Sequence, residues 1–219
     1  MEEEEDMRNN KFNFKPAVLI LLAVALVSYA CTNVEENSRT GSLLVVNNVI
    51  GHEGGENGTA GTPLLSDTCD NPNGTPQDPD TCTVFNDNAD VEFANQFLQI
   101  GPGAGLGGPT FINDIVVNRY RIDYVRPNGR NTPGIDVPFG IDGTMNIRVP
   151  SNGTATTSII VVRHEAKREP PLSSLDLEQG EGVITANAQM QFFGQDLSGR
   201  TASCTGYLEI HFGNYGEGN

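Results

Sequence analysis

The sequence predicts an all-β protein, because polar and apolar side chains alternate with a period of two along most of the chain after Cys82 and no helical period competes. In Val91-Glu92-Phe93 the odd positions are apolar and the even position is polar, which is typical of a half-buried strand. No stretch of twelve residues keeps a 3.6-residue spacing without Gly, Pro or a β-branched run. Turn signals such as Asn152-Gly153 separate the alternating segments.

The N-terminal part of the domain predicts one strand followed by a long loop. Leu43 to Val46, with Val49 and Ile50, form a short apolar run that indicates a first strand. Residues 51–80 consist largely of Gly, Asn, Pro, Asp and Thr. Such a composition buries little apolar surface, so we expect a loop there.

The C-terminal part predicts further strands and one long hairpin. Alternation recurs around residues 91–97, 116–124 and 145–149, and residues 156–164 are apolar on both faces, which favours a central strand. In the last pair, Ile184 to Phe192 and Ala202 to Phe212 each place their even-numbered apolar residues on one face. Asp196-Leu197-Ser198-Gly199 provides the turn between them.

About seven strands with regular turn signals favour two packed antiparallel sheets. We expect an immunoglobulin-like sandwich over residues 42–215, with a jelly roll as the second choice. From Cys31 onward 23 acidic residues stand against 10 basic ones, because five of the 28 acids and three of the 13 bases precede it. The resulting net charge of −13 repels phosphates, so nucleic acid is not an expected partner.

Residues 1–30 have the features of a secretory signal. Arg8, Lys11 and Lys15 precede the apolar run Ala17 to Val27, which is too short for the roughly 20 residues of a spanning helix. The acidic segment before Met7 opposes the usual orientation bias, so Met7 is the expected start. Residues 31–41 are polar and predict a flexible tether.

Ser28-Tyr29-Ala30-Cys31 ends this signal. Ala30 and Cys31 resemble the lipobox of bacterial lipoproteins, and the resemblance implies a diacylglycerol on Cys31 and anchoring to the cell envelope. Because Thr32 is not the Asp that often retains lipoproteins in the inner membrane, the resemblance implies the outer membrane. Ser28-x-Ala30 also satisfies the rule for ordinary signal peptidase, so cleavage without a lipid remains an alternative.

Three further cysteines stand in a chain expected to be exported, where disulfides persist. A Cys69–Cys82 bridge would close a loop of about 14 residues and stabilise it by roughly 3 kcal/mol. The alternative is Cys82 with Cys204, which leaves Cys69 free. Under the first pairing, Cys204 is expected to be a small buried hydrophobe.

The same loop carries oxygen donors that a calcium ion could use. The candidates are Asp67, Asp70, Asn73, Asp78 and Asp80. Proline interrupts their spacing and the regular calcium-loop pattern is absent, so turn formation by Asp and Asn is the simpler interpretation. The basic residues around 119–130 and 163–168 are expected to pair with Asp and Glu across strands.

No spacing predicts a catalytic group, and no catalytic residue, cofactor or nucleic-acid site is assigned. Gly103-x-Gly105-x-x-Gly108 lacks the following helix that a dinucleotide site needs. The leading hypothesis is therefore a non-enzymatic envelope lipoprotein with a structural or partner-binding role. The alternative is a calcium- or carbohydrate-binding module that uses the 51–80 loop and the aromatic residues Tyr120, Tyr124 and Tyr207.

Overall fold

Two β-sheets pack face to face in the computed structural model, which describes residues 42–55, 58–69, 83–97, 110–175 and 182–215. The all-β two-sheet prediction is confirmed. These residues lie in a compact unit that runs from Thr40 to Asn219. The signal at 1–30, Met7, Cys31 and the tether at 31–41 lie outside the described residues, so those assignments stay predictions. The strands are β1 Ser42–His52, β2 Ala60–Gly61, β3 Leu64–Asp67, β4 Asp87–Phe97, β5 Ile115–Val125, β6 Ile141–Val149, β7 Thr154–Val162, β8 Ile184–Asp196 and β9 Thr201–Gly213.

The first sheet has the strand order β2-β1-β4-β7, and its neighbouring strands are antiparallel. Strand β4 lies between the long strands β1 and β7. Its inward side chains Val91 and Phe93 are fully buried. The prediction that the segment around β7 is a central strand is wrong, since β7 is the last strand in this order. The buried residues of β7 are instead confined to its C-terminal part, where Ile159, Val161 and Val162 face away from solvent.

The second sheet has the order β3-β9-β8-β5-β6. Its pairs are antiparallel except β3, which runs parallel to β9 with Leu64 opposite Ile210. The predicted hairpin is confirmed: β8 and β9 pair from Ile184↔Phe212 to Gln195↔Thr201, and their even-numbered apolar side chains face the core. Period-two alternation therefore has a physical cause here, because one face of the sheet meets the other sheet and the other meets solvent.

The core between the sheets is close-packed around aromatic side chains. Phe93 of β4 and Phe192 of β8 meet edge to face with ring centroids 4.8 Å apart, a favoured geometry for aromatic pairs. At Gly206 of β9 a Cβ would lie 3.1 Å from Val46 of β1, so the absence of a side chain lets the two sheets approach. Tyr124 also crosses between the sheets, because its hydroxyl donates to the Val161 carbonyl at 2.6 Å.

The expected loop over residues 51–80 differs from the structure at β2 and β3. Leu64 is fully buried and reaches β1 at Gly51, where a Cβ would lie only 2.7 Å from the Leu64 Cβ. The apolar burial of Leu64 and the free edge of β9 together order this segment, although its composition is that of a loop. Most of the remainder, residues 70–80, lies outside the described residues.

Two local features also depart from expectation. A four-residue helix, α1 (His164–Lys167), follows β7, and short 3-10 turns occupy Phe111–Asn113 and Leu172–Ser174. Asn152-Gly153 lies in a turn, as its sequence predicts, but the turn is not the two-residue type I′ hairpin that Asn-Gly favours. Gly153 N donates to the Pro150 carbonyl and only Asn152 of this pair has a positive φ, of 57°, and the turn joins strands of different sheets.

Within the described ranges, none of the helical segments combines the length and the hydropathy that crossing a bilayer would require.

Candidate functional site

A buried ion pair lies at the end of the sandwich where β4 begins and β7 ends. Lys167 Nζ lies 2.9 Å from Asp87 Oδ1, and the two side chains are 2% and 0% exposed. Asp87 Oδ1 also accepts from Gly54 N at 2.9 Å, and Asp87 Oδ2 accepts from the Ser66 hydroxyl at 2.6 Å. Charges so far from water are tolerated only when they are paired and hydrogen-bonded.

The residues of this cluster come from elements far apart in sequence. Asp87 is the first residue of β4, Ser66 lies on β3, and α1 turns Lys167 inward after β7. Serine, lysine and carboxylate together also occur in nucleophilic sites. Here the Ser66 hydroxyl donates to Asp87 and the residue has no exposed surface. The cluster therefore joins three elements and offers no surface to a substrate.

Two carboxyl groups beside this pair have raised pKa values. Burial raises the pKa of Asp67 to about 7, although the N–H groups of Cys69 and Tyr215 donate to its Oδ1 and oppose the shift. Burial also raises the pKa of Glu53, and the negative charge of Asp87 adds to that effect. A carboxyl group with a pKa near 7 is partly neutral at physiological pH.

The calcium candidates are only partly described. Asp67 is buried and bonded to backbone N–H groups, as above, while Asp70, Asn73, Asp78 and Asp80 lie outside the described residues. Among the residues that are described, no group of three or more His, Cys, Asp or Glu side chains could hold a metal ion.

The cysteines separate into two kinds. Cys69 is 1% exposed and is not a free thiol, but Cys82 lies outside the described residues, so the Cys69–Cys82 pairing stays a prediction. The alternative pairing of Cys82 with Cys204 is wrong, because Cys204 is free. Burial raises the pKa of the Cys204 thiol to about 12, which disfavours the reactive thiolate.

Of the basic residues predicted to pair across strands, Arg119 and Arg121 of β5 do so with β6. Arg121 of β5 lies 3.5 Å from Asp142 of β6 and 2.8 Å from Asp123, and Arg119 also reaches Asp142 at 3.6 Å. Lys167 pairs with a carboxylate as well, but from α1 rather than from a strand.

The aromatic residues proposed for carbohydrate binding do not share a surface. Tyr120 and Tyr124 are buried, at 7% and 4% exposure, and their rings pack against Phe192 and Phe212. Tyr207 is 63% exposed on the outer face of the second sheet. Two of the three rings therefore belong to the core and cannot stack on a sugar.

The opposite end of the sandwich carries exposed apolar side chains. Phe111 is 68% exposed, and Ile112 and Leu197 are each 48% exposed. We name these three residues the apolar tip. Beneath it, Arg148 Nε donates to Asp114 Oδ2 at 2.7 Å and Ser151 N donates to Asp114 Oδ1 at 2.7 Å, which fixes the turn after β6.

Sequence reasoning missed both of these features. Asp87 and Lys167 are 80 residues apart, and no sequence signal joined them, because Lys167 stands among other basic residues, Arg163 and Arg168. The apolar tip was missed because Phe111 and Ile112 are apolar and directly precede an alternating segment, so they are interpreted from the sequence as the beginning of that strand.

Comparison with protein-family models and with curated proteins finds no match to this chain.

Proposed function

We propose that the chain is a non-enzymatic lipoprotein of the cell envelope, an anchored β-sandwich with a structural or partner-binding role. The observation that carries this proposal is that three buried carboxylates are occupied by hydrogen bonds within the chain. Asp87, Asp114 and Asp196 all bind neighbouring groups of the chain itself. Such carboxylates hold elements together and are not presented to a ligand.

The strand order supports an immunoglobulin-like sandwich. If β1, β4 and β7 are strands A, B and E, and β5, β6, β8 and β9 are C, C′, F and G, the two sheets read A-B-E and C′-C-F-G. Immunoglobulin domains divide their strands between sheets in the same way, apart from strand D. The seven long strands agree with the number expected from the sequence, and β2 and β3 are short additions.

The core supports the same assignment. Antibody domains place a disulfide between strands B and F and pack a Trp of strand C on it. In the corresponding strands this chain has Phe93, Phe192 and Tyr120. The ring centroid of Phe192 lies 4.8 Å from that of Phe93 and 6.5 Å from that of Tyr120. An aromatic cluster would thus take the place of the inter-sheet disulfide.

Export and anchoring are supported by the sequence. The basic segment, the short apolar run and Ala30-Cys31 favour a lipid on Cys31, and two or more acyl chains give stable anchoring where one is marginal. The outer membrane is the proposed location. The surfaces open to a partner are the outer edges of β6 and β7, each last in the order of its sheet, where an extended segment could add as a strand.

A calcium- or carbohydrate-binding module has less support. Asp67 is committed to backbone contacts, and Tyr207 is exposed without Tyr120 or Tyr124 beside it on the surface. A rise in melting temperature with millimolar calcium that Asp70→Ala and Asp80→Ala abolish would favour this alternative over the proposal.

The anchor is tested by Cys31→Ser in cells that export the chain. We expect the variant to lose the lipid and to leave the membrane fraction, because the acyl chains on Cys31 provide the attachment. Mass spectrometry of the N-terminal peptide and fractionation measure both effects, with Cys204→Ser as the matched control that should stay lipidated. Normal processing and membrane retention of Cys31→Ser would contradict the anchor.

A further inference from the structure

The apolar tip is a single surface, although its side chains come from two turns. Phe111 and Ile112 lie in the 3-10 turn before β5, and Leu197 lies in the turn between β8 and β9. Leu197 N donates to the Asp114 carbonyl at 3.2 Å, and Asp114 N donates to the Phe111 carbonyl at 3.1 Å. The two turns are thus joined by backbone hydrogen bonds, which place the three exposed residues at the same end of the sandwich.

The chain enters the domain beside this tip. Ser42, the first residue of β1, donates from its hydroxyl to the Asn113 carbonyl at 3.3 Å. Eleven residue steps separate Ser42 from Cys31. The predicted tether of this length spans about 18 Å as a flexible chain and at most about 38 Å when extended. A lipid on Cys31 would therefore hold this end of the sandwich close to the bilayer.

The charges of the tip fit a membrane surface better than those of the whole chain do. Asp114 and Asp196 are 5% and 3% exposed, and Asp196 Oδ1 accepts from Ser198 N, the Ser198 hydroxyl and Arg200 N. The basic side chains here stay outside: Arg148 is 56% exposed, and Arg200 is exposed as well. Although the chain is strongly acidic, these two carboxylates are buried and the two guanidinium groups are exposed, that of Arg148 paired with Asp114. Asp114 and Asp196 therefore present no exposed negative charge that would repel anionic headgroups.

We propose that Phe111, Ile112 and Leu197 insert into the interface of the bilayer that carries the lipid of Cys31. The occupant of the apolar tip is thus a lipid surface, and the inference rests on the proposed anchor. Exposed aromatic and aliphatic side chains flanked by basic residues are the composition of interfacial membrane contacts. The sandwich would then stand on its tip, with the Lys167–Asp87 end directed away from the membrane.

The test uses the absence of Trp from this sequence. The full-length chain carrying Phe111→Trp is purified from an exporting cell and reconstituted in vesicles of phosphatidylethanolamine and phosphatidylglycerol, with or without brominated acyl chains. The matched control is Tyr207→Trp, an aromatic replacement at a position of similar exposure, 63% against 68%. Tyr207 lies six residues along β9 from Thr201, about 20 Å from the end of the strand.

We expect the emission of Phe111→Trp to shift to shorter wavelength in vesicles and to lose roughly half its intensity with brominated lipid, because interfacial side chains reach about 5–10 Å into the headgroup boundary. Tyr207→Trp should do neither. Equal quenching of both variants, or none of Phe111→Trp, overturns the tip contact. A shift without quenching indicates contact between copies of the chain and overturns it too.

The anchor is scored separately in the same samples. Vesicle flotation and a lipid on Cys31 by mass spectrometry, without quenching of Phe111→Trp, overturn the tip contact and leave the anchor standing. A chain that neither floats nor carries the lipid overturns both.

Discussion

The buried lysine is the residue on which one end of the domain depends. Asp87 receives three hydrogen-bond donors, from Lys167, Gly54 and Ser66, so its charge is compensated without water. Removing one partner of such a pair leaves a buried charge uncompensated, which costs far more than the pair itself contributes. Lys167 is thus required by Asp87 and does not need a further role to explain its position.

We expect Lys167→Met to lower the free energy of unfolding by about 3–5 kcal/mol, because the Asp87 carboxylate would remain buried and unpaired. Urea denaturation followed by circular dichroism measures this change. Arg168→Met is the matched control at the next position, where the side chain is exposed; surface substitutions of this kind change stability by about 0.5 kcal/mol or less. Equal stability of the two variants would contradict the structural role of the pair.

Asp67 makes the stability of the domain depend on pH. Its pKa is raised from 3.8 to about 7 in the folded state, so folding favours the protonated form. Its contribution is fully present below pH 3.8 and is lost as the pH rises through about 7. Asp67→Asn keeps an oxygen for the Cys69 and Tyr215 N–H groups but cannot ionise.

We therefore expect the melting temperature of Asp67→Asn to fall less between pH 5 and pH 8 than that of the native sequence, as measured by calorimetry at both values. Some slope should remain, since the pKa of Glu53 is raised for the same reason. Asp142→Asn, at an exposed position of β6, is the control. A slope in Asp67→Asn equal to that of the native sequence would assign the effect to other groups.

At the scale of elements, the alternation of side chains predicted β4, β5, β6, β8 and β9, and apolar runs predicted β1 and β7. Strand β8 shows why. Every even-numbered residue from Ile184 to Phe192 is buried against the other sheet, so the pattern can be recognised within one short segment of sequence. Strand β3 is only four residues long and is defined by its partner β9, nearly 150 residues away. The buried Lys167–Asp87 pair could not be predicted for the same reason, because its chemistry depends on tertiary contacts between distant segments.

Leu64→Ala should lower the free energy of unfolding by about 2–5 kcal/mol, because it opens a cavity where β3 packs on β1 and the core. The neighbouring Leu65→Ala is the matched control, since Leu65 is 39% exposed and Leu64 is fully buried. Denaturant titration of both variants gives the comparison. If Leu65→Ala were as costly as Leu64→Ala, the assigned register of β3 on β9 would be wrong.

At the scale of the whole molecule, the two ends of the sandwich differ in their buried charged groups and in where the chain enters. One end carries titratable and buried charged groups, among them Asp67, Asp87 and Lys167. The other end, where the chain enters at Ser42, has two buried carboxylates, Asp114 and Asp196. Both ends carry exposed apolar side chains, which are Phe111, Ile112 and Leu197 at the entry end and Ile135, Phe139 and Val183 at the Lys167 end. The sequence alone predicted two sheets but not this polarity, because the turns of each end come from segments scattered along the chain.

The position of Lys167 also determines how the domain can be modified chemically. Lysines stand at positions 11, 15 and 167, and the first two belong to the predicted signal. If the predicted signal is removed, Lys167 provides the one ε-amine of residues 31–219, and the fold encloses it. Reagents that acylate or cross-link amines would then report the opening of this one corner of the protein and leave the folded exterior untouched.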